Sequence, residues 1–228
     1  MSSLYRDRFD AGRRLAATLL SYANRKDVLV LALPRGGVPV GYEVARALNV
    51  PMDIFLVRKL GLPGYEELAM GAIASGGLQV VNDDVVRQFN VCDDVIKSVA
   101  AEEFRELERR EQVYRVGRPP LDPANKTVIL VDDGLATGST MRAAVQALRH
   151  SRPTSILVAV PVGAPDTCAN LREEADEVIC PQTPENFSAV GRWYIDFSQT
   201  TDEEVCELLT RAPHEPPPTA LPAESRNQ

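Results

Sequence analysis

The chain has 228 residues, 44% hydrophobic and 25% charged, which excludes a fibrous or wholly disordered protein and fits one domain larger than the typical ~150 residues. Its 25 Lys and Arg stand against 32 Asp and Glu, a net charge of −7, which excludes the broad basic surface of a nucleic-acid binder, so an anion must be met by a few local cations and backbone amides. No apolar stretch approaches the ~18 residues of a membrane span, and the N-terminal MSSLYRDRFDAGRRLAATLL mixes acids among its bases with no small-residue cleavage site, so neither a membrane contact nor a secretory signal is expected.

In chain order, Val28–Leu33 is a continuous aliphatic run that predicts a buried strand, followed by a turn at Pro34–Gly37 and an amphipathic helix over Val38–Leu48. Asp53–Arg58 (DIFLVR) is a second strand candidate after the Asn49–Pro51 break. Met70–Val81 reads as a hairpin turning at Ser75-Gly76-Gly77. Asp93–Val116 predicts a long helix, with Ile96, Ala100, Phe104, Leu107 and Tyr114 forming one narrow apolar stripe. Thr127–Val131 is a third aliphatic strand, leading through a loop into a helix over Thr140–His150; Ser155–Val160 and Glu177–Cys180 are the fourth and fifth. Strands without polar alternation, joined by helices, predict an α/β fold: a doubly wound, mostly parallel sheet in a single domain spanning 1–210. The block from about Met70 to Pro120 interrupts that alternation and reads as an insertion that covers something. Arg211–Gln228, rich in Pro and poor in apolar residues, predicts a disordered tail. The scattered cysteines (Cys92, Cys168, Cys180, Cys206) and only two histidines fit reduced thiols in a cytoplasmic protein, not a zinc site.

The most informative stretch is Thr127–Thr140, TVILVDDGLATGST. A buried strand ends in adjacent carboxylates, Asp132 and Asp133, and a Gly- and hydroxyl-rich turn then opens a helix. Backbone amides at such a helix N-terminus form an anion cradle, to which Thr137, Ser139 and Thr140 add hydroxyls. No Lys follows Gly138, so this is not a Walker loop. Two carboxylates beside a phosphate cradle make sense if the ligand also carries ribose hydroxyls or a divalent cation, which points to a phosphorylated sugar.

VILVDDGLATGST resembles the phosphoribosyl-diphosphate-binding signature of the type I phosphoribosyltransferase family. The resemblance implies that Asp132 and Asp133 hold the ribose hydroxyls and that Ala136, Thr137, Gly138, Ser139 and Thr140 hold the 5′-phosphate. It makes Leu33-Pro34-Arg35-Gly36-Gly37 the pyrophosphate loop, with a cis peptide at Pro34–Arg35 or Arg35–Gly36. Arg58-Lys59-Leu60-Gly61-Leu62-Pro63-Gly64 is similar to a stretch of adenine-type members whose cations meet the pyrophosphate. The segment after it, Gly61–Val81 with part of the helix insertion (about 61–120), would then be a lid that excludes water from the activated sugar. Pro184–Phe197 resembles the C-terminal string of hypoxanthine–guanine-type members, which places Phe187 and Trp193 by the acceptor and Asp196 by the metal, directly or through water.

The implied reaction transfers the phosphoribosyl group to a nitrogenous, base-type acceptor with release of pyrophosphate. Mg²⁺, Arg35, Arg58, Lys59 and loop amides would stabilise the leaving group, and a homodimer is implied. The departures lie on the acceptor side. Ala136 stands where guanine-type members carry an acid, Met70–Gly77 holds no acid although Glu66 and Glu67 lie nearby, and Pro161-Val162-Gly163 lacks a lysine that reads the base. Because no general base is identified, a sensor that binds phosphoribosyl diphosphate or a nucleotide without turnover is the alternative.

Overall fold

The computed structural model describes residues 4–213, without the side chains of Glu66 and Glu67. Five strands form a parallel sheet: β1 (Val28–Ala32), β2 (Met52–Ile54), β6 (Thr127–Val131), β7 (Ser155–Ala159) and β8 (Glu177–Ile179), in the order β2-β1-β6-β7-β8. A separate antiparallel sheet holds β3 (Val57–Leu62), β4 (Tyr65–Ala74) and β5 (Leu78–Val81). The helices are α1 (Arg8–Ala16), α2 (Gly37–Leu48), α3 (Asp83–Gln88), α4 (Asp93–Tyr114), α5 (Ser139–His150), α6 (Pro165–Leu171) and α7 (Asp202–Arg211).

Every residue of β1 and β6 is buried, because helices cover both faces of the sheet. Alternate residues go opposite ways. Val28, Val30, Ala32, Ile129 and Val131 pack with Val40, Val44 and Leu48 of α2. Leu29, Leu31, Val128 and Leu130 pack with Met141, Val145 and Leu148 of α5. Each such aliphatic side chain contributes about 1.5–3 kcal/mol when fully buried, which is why the uniform runs predicted the strands correctly.

The winding positions the site. From β1 the chain crosses through α2 to β2 on one side; from β6 it crosses through α5 and α6 to β7 and β8 on the other. β1 and β6 are neighbours whose connections depart in opposite directions, so the loops after them flank a crevice at their carboxyl ends, the usual ligand position in an open α/β sheet. The Pro34–Gly37 and Asp132–Gly138 loops are those two loops.

Three sequence expectations are corrected. Asp53–Arg58 is not one strand: the chain leaves the parallel sheet after Ile54, and β3 starts at Val57 in the other sheet. Phe55 and Leu56 at the break are buried in different cores, so the apolar run continues through it unmarked. The backbone of Leu56 is held from both sides by Ser75, whose hydroxyl accepts its N–H at 3.0 Å and whose own N–H donates to its carbonyl at 2.8 Å. The hairpin starts earlier than Met70, at Tyr65, because β4 also pairs with β3; its turn falls at Ser75–Gly77 as expected, with Gly76 and Gly77 at positive φ. Finally, ordered chain runs past residue 210. α7 continues through Arg211, Ala212 is buried, and the Pro213 carbonyl accepts the Met52 N–H at 2.8 Å. The rest of the expected tail, residues 214–228, lies outside the described residues.

The insertion joins the main core. Leu60, Met70 and Ile73 of the antiparallel sheet, with Ile96, Ala100, Leu107 and Tyr114 of α4, are buried in the same cluster as α2, while Phe104 packs half-buried at its edge. No helix among the described residues is long and apolar enough to cross a membrane.

Candidate functional site

At the carboxyl end of β6 the loop Asp132–Gly138 is pinned from behind. Leu135 N–H donates to Val162 O and Ala164 N–H to Leu135 O, both at 2.9 Å, and the Thr167 hydroxyl donates to Ala136 O at 2.6 Å. Gly138 is the N-cap of α5, at φ 71°, where a side chain is strained; a β-carbon there would also stand 2.5 Å from Thr167 Cγ2. The loop therefore turns straight into the first turn of α5, whose amide groups have no intrahelical acceptor. Gly138→Ala is expected to lower the unfolding midpoint by about 4 °C or more, which thermal denaturation measures.

Lys59 of β3 reaches this turn. Its Nζ donates to Ser139 Oγ at 3.2 Å, and Ser139 Oγ lies 3.3 Å from Thr137 Oγ1. Its neighbour Arg58 pairs with Glu103 of α4 at 2.5 Å. Arg58, Lys59, Gly61, Pro63, Glu103 and Thr140 line an open cleft of about 500 Å³. Arg35 Nη1 lies 3.5 Å from Asp202 Oδ1 at the start of α7, and Asp202 also accepts the Tyr114 hydroxyl.

The glycine pair of the first loop packs directly on the acids. A β-carbon on Gly36 would stand 2.1 Å from Asp133 Oδ2, and one on Gly37 2.9 Å from Asp132 Cα. Gly36 has an ordinary helical φ of −60°, so close approach, not backbone freedom, demands glycine there. The peptide between Pro34 and Arg35 is cis.

Both acids are largely buried. Asp132 Oδ1 accepts the Asp133 N–H at 2.8 Å; Asp133 Oδ2 accepts from Arg8 Nε of α1 at 2.8 Å; and the Tyr194 hydroxyl donates to the Asp133 carbonyl at 2.6 Å. Burial, and then the neighbouring Asp133 charge, push the Asp132 carboxyl well above the ordinary carboxylate range. Burial also raises Asp133, against which Arg8 acts.

The Pro184–Phe197 segment lies over this loop and against the N-terminus. Val190, in a single 3₁₀ turn (Val190–Trp193), would be struck at 2.6 Å by a β-carbon on Gly134. Phe187 and Trp193 are half-buried in a cluster with Tyr5, Ala11, Val162 and Tyr194. Asp196 is exposed, and its carboxylate accepts the Ser198 N–H at 2.9 Å, which holds it below its usual range.

A family model described as a phosphoribosyl transferase domain matches residues 2–198. The chain belongs to the phosphoribosyl transferase family. The crystal structure of TT1426 from Thermus thermophilus is 40% identical, with 92% of this chain and 99% of that one covered and a TM-score of 0.84. The Mycobacterium tuberculosis (H37Rv) protein Rv0571c, provisionally named a phosphoribosyl transferase, is 46% identical over 209 residues, which are 92% of this chain and 47% of the relative. The chain thus spans about half the length of that relative. The bifunctional protein PyrR of Corynebacterium diphtheriae is 33% identical over 126 residues, 52% of this chain and 66% of PyrR.

Within this phosphoribosyl transferase fold, the structure groups the Gly36–Gly37 pair, Asp132, Asp133, the Ala136–Thr140 loop and Lys59 at one crevice, and sets Arg58 beside it. Arg35, although on the same loop as the glycines, is tied to α7. Glu66 and Glu67 lie on β4, with side chains outside the described residues. Sequence reasoning missed Arg8, Glu103 and Asp202. Each reaches its partner from an element far along the chain, and no local pattern marks it. A hollow of about 280 Å³ at the opposite, amino-terminal edge of the sheet is lined by Met52, Asp53, Arg118 and Leu209. Asp53 and Arg118 pair with each other there.

Proposed function

We propose that the chain is a Mg²⁺-dependent phosphoribosyltransferase that moves the 5-phosphoribosyl group from phosphoribosyl diphosphate to a nitrogenous, base-type acceptor and releases pyrophosphate. The observation that carries this reading is the meeting of Lys59 with Ser139 beside the Asp132–Asp133 pair, which puts a cation, an amide cradle and two hydroxyl acceptors at one sheet crevice. Asp132 and Asp133 would accept the ribose hydroxyls and favour positive charge developing on the sugar. The 136–140 amides and hydroxyls would hold the 5′-phosphate. Lys59, Arg58 and the Arg35–Gly37 loop would meet the pyrophosphate, a preorganised electrostatic role.

No group of three or more His, Cys, Asp or Glu among the described residues could cage a metal. In this reading Mg²⁺ would be carried mainly by ligand oxygens, with Asp196 reaching it through water. Bound there, the ion would neutralise charge on the leaving pyrophosphate. Residues 61–81 with the adjoining part of α4 would close over the sugar, and Phe187 and Trp193 would face the acceptor. The resemblance adds a homodimer, and the scattered cysteines suit a cytoplasmic location.

Lys59→Met is expected to lower pyrophosphate release roughly 10- to 100-fold, since a hydrogen bond to a charged group contributes about 1.5–3 kcal/mol. A continuous pyrophosphate assay measures this, and an unchanged rate would remove Lys59 from the site. The alternative is a sensor that binds phosphoribosyl diphosphate or a nucleotide without turnover. Tight binding of phosphoribosyl diphosphate without pyrophosphate release from any acceptor would decide for it.

A further inference from the structure

We propose that Arg8 is a positioning residue for the acid pair: it fixes the Asp133 carboxylate as an oriented anion with one oxygen committed, which suits the pair to a vicinal diol and not to a divalent cation. This rests on the assignment of Asp132 and Asp133 to the ribose.

Arg8 is anchored by three contacts to two segments. Its Nε donates to Asp133 Oδ2 at 2.8 Å, its Nη1 donates to Ser198 O at 2.6 Å, and its guanidinium lies 4.0 Å from the centroid of the Phe197 ring. The side chains of Arg8 and Asp133 are only 11% and 15% exposed, so solvent screens the pair weakly. A planar, permanently charged guanidinium held this way sets direction as well as charge.

The oxygens are already divided. Asp133 Oδ2 is enclosed between Arg8 and the backbone of Gly36. Asp132 Oδ1 is taken by the Asp133 N–H. Each acid thus commits one oxygen to the protein, and we assign the other to one of two neighbouring hydroxyls. Charge points the same way. Two unopposed carboxylates attract a divalent cation, whereas Arg8 cancels one of the two charges and repels a cation placed between them. The sequence left hydroxyls and a cation both open at this pair; Arg8 separates them.

The ionisable groups facing Asp133 are Asp132 on its own loop, Arg8 from α1 and Tyr194 from the C-terminal segment, whose hydroxyl burial keeps protonated. Against burial, Arg8 is the opposing charge. Without it Asp133 takes up a proton at higher pH and stops accepting from a hydroxyl.

The test uses the full chain with ¹³C-labelled aspartate, following the Asp133 carboxyl by NMR titration without ligand, so that it does not depend on what the site binds. Arg8→Gln is expected to raise the Asp133 midpoint by about one pH unit or more. Arg8→Lys, a smaller change that guards against a variant unable to fold, is expected to raise it by less. A midpoint at the wild-type value in either variant overturns the proposal. Calorimetry with phosphoribosyl diphosphate and Mg²⁺ follows. The affinity loss of Arg8→Gln relative to wild type is expected to be larger at pH 6 than at pH 8, and an equal loss at both overturns the link to binding. At pH 8, where Asp133 is ionised most fully, Mn²⁺ added alone should bind Arg8→Gln more tightly than wild type; equal binding overturns the preference for a diol. A moved midpoint in a chain that binds no phosphoribosyl diphosphate would leave Arg8 positioning Asp133 and sink the ribose assignment.

Discussion

An Asp132→Asn, Asp133→Asn double variant is expected to bind phosphoribosyl diphosphate about 100- to 1,000-fold more weakly than wild type. Each carboxylate would accept a hydroxyl in a largely buried site, where a charged hydrogen bond contributes about 1.5–3 kcal/mol, and about 1.4 kcal/mol is a factor of ten. Calorimetry with Mg²⁺ measures the loss. Stability separates the two acids. Burial and the Asp133 charge raise Asp132, so the folded chain favours its protonated form. The unfolded chain ionises it at lower pH, so Asp132 costs stability above the ordinary carboxylate range, and the cost grows as pH rises toward the folded value. Asp132→Asn alone is therefore expected to unfold at a higher temperature than wild type at pH 8, the trade between stability and function expected of a binding site. Asp133 is raised as well, but replacing it leaves Arg8 buried without its carboxylate, so Asp133→Asn should gain less stability at pH 8 than Asp132→Asn does.

Gly36→Ala is expected to abolish tight ligand binding with only moderate loss of stability. The added methyl would stand 2.1 Å from Asp133 Oδ2 and 2.7 Å from its Cγ, so that carboxylate must swing off Arg8. Displacing one acid from its productive position should weaken binding about 100-fold, while overpacking costs about 1–3 kcal/mol. Gly37→Ala meets fixed atoms instead, the Val131 carbonyl at 2.7 Å and Asp132 Cα at 2.9 Å, and should lower the unfolding temperature more than Gly36→Ala does. Thermal unfolding and calorimetry on both variants distinguish a glycine that makes room for the site from one that makes room for the fold. If Gly36→Ala binds as wild type does, the packing of this loop on the acids is unimportant to the ligand.

Much of the architecture was legible because it is written locally. β1 and β6 are uninterrupted aliphatic runs buried on both faces, and the stripe on α4 is regular enough to name its buried residues in advance. The Asp132–Thr140 turn was legible as a loop opening a helix, from its glycines and hydroxyl residues. Other features depend on who meets whom. Arg8 lies 125 positions from Asp133, in a segment whose sequence showed only mixed charge. The break at Phe55–Leu56 is invisible because both residues are apolar and both are buried, in different cores. Gly36 and Gly37 could be recognised as a turn, but their reason is contact with the acids of another loop. The tail boundary moved because Ala212 finds a buried place and Pro213 a partner in Met52, neither of which a proline-rich composition foretells.

The central claim is that this crevice holds phosphoribosyl diphosphate for transfer. It is tested most directly by ³¹P NMR of the chain with phosphoribosyl diphosphate, Mg²⁺ and a panel of nucleobases and small amines. Pyrophosphate is expected to appear with at least one nitrogenous acceptor, and the signal to be lost in the Asp132→Asn, Asp133→Asn variant. Phosphoribosyl diphosphate left neither bound nor consumed, with every acceptor present, would contradict the claim.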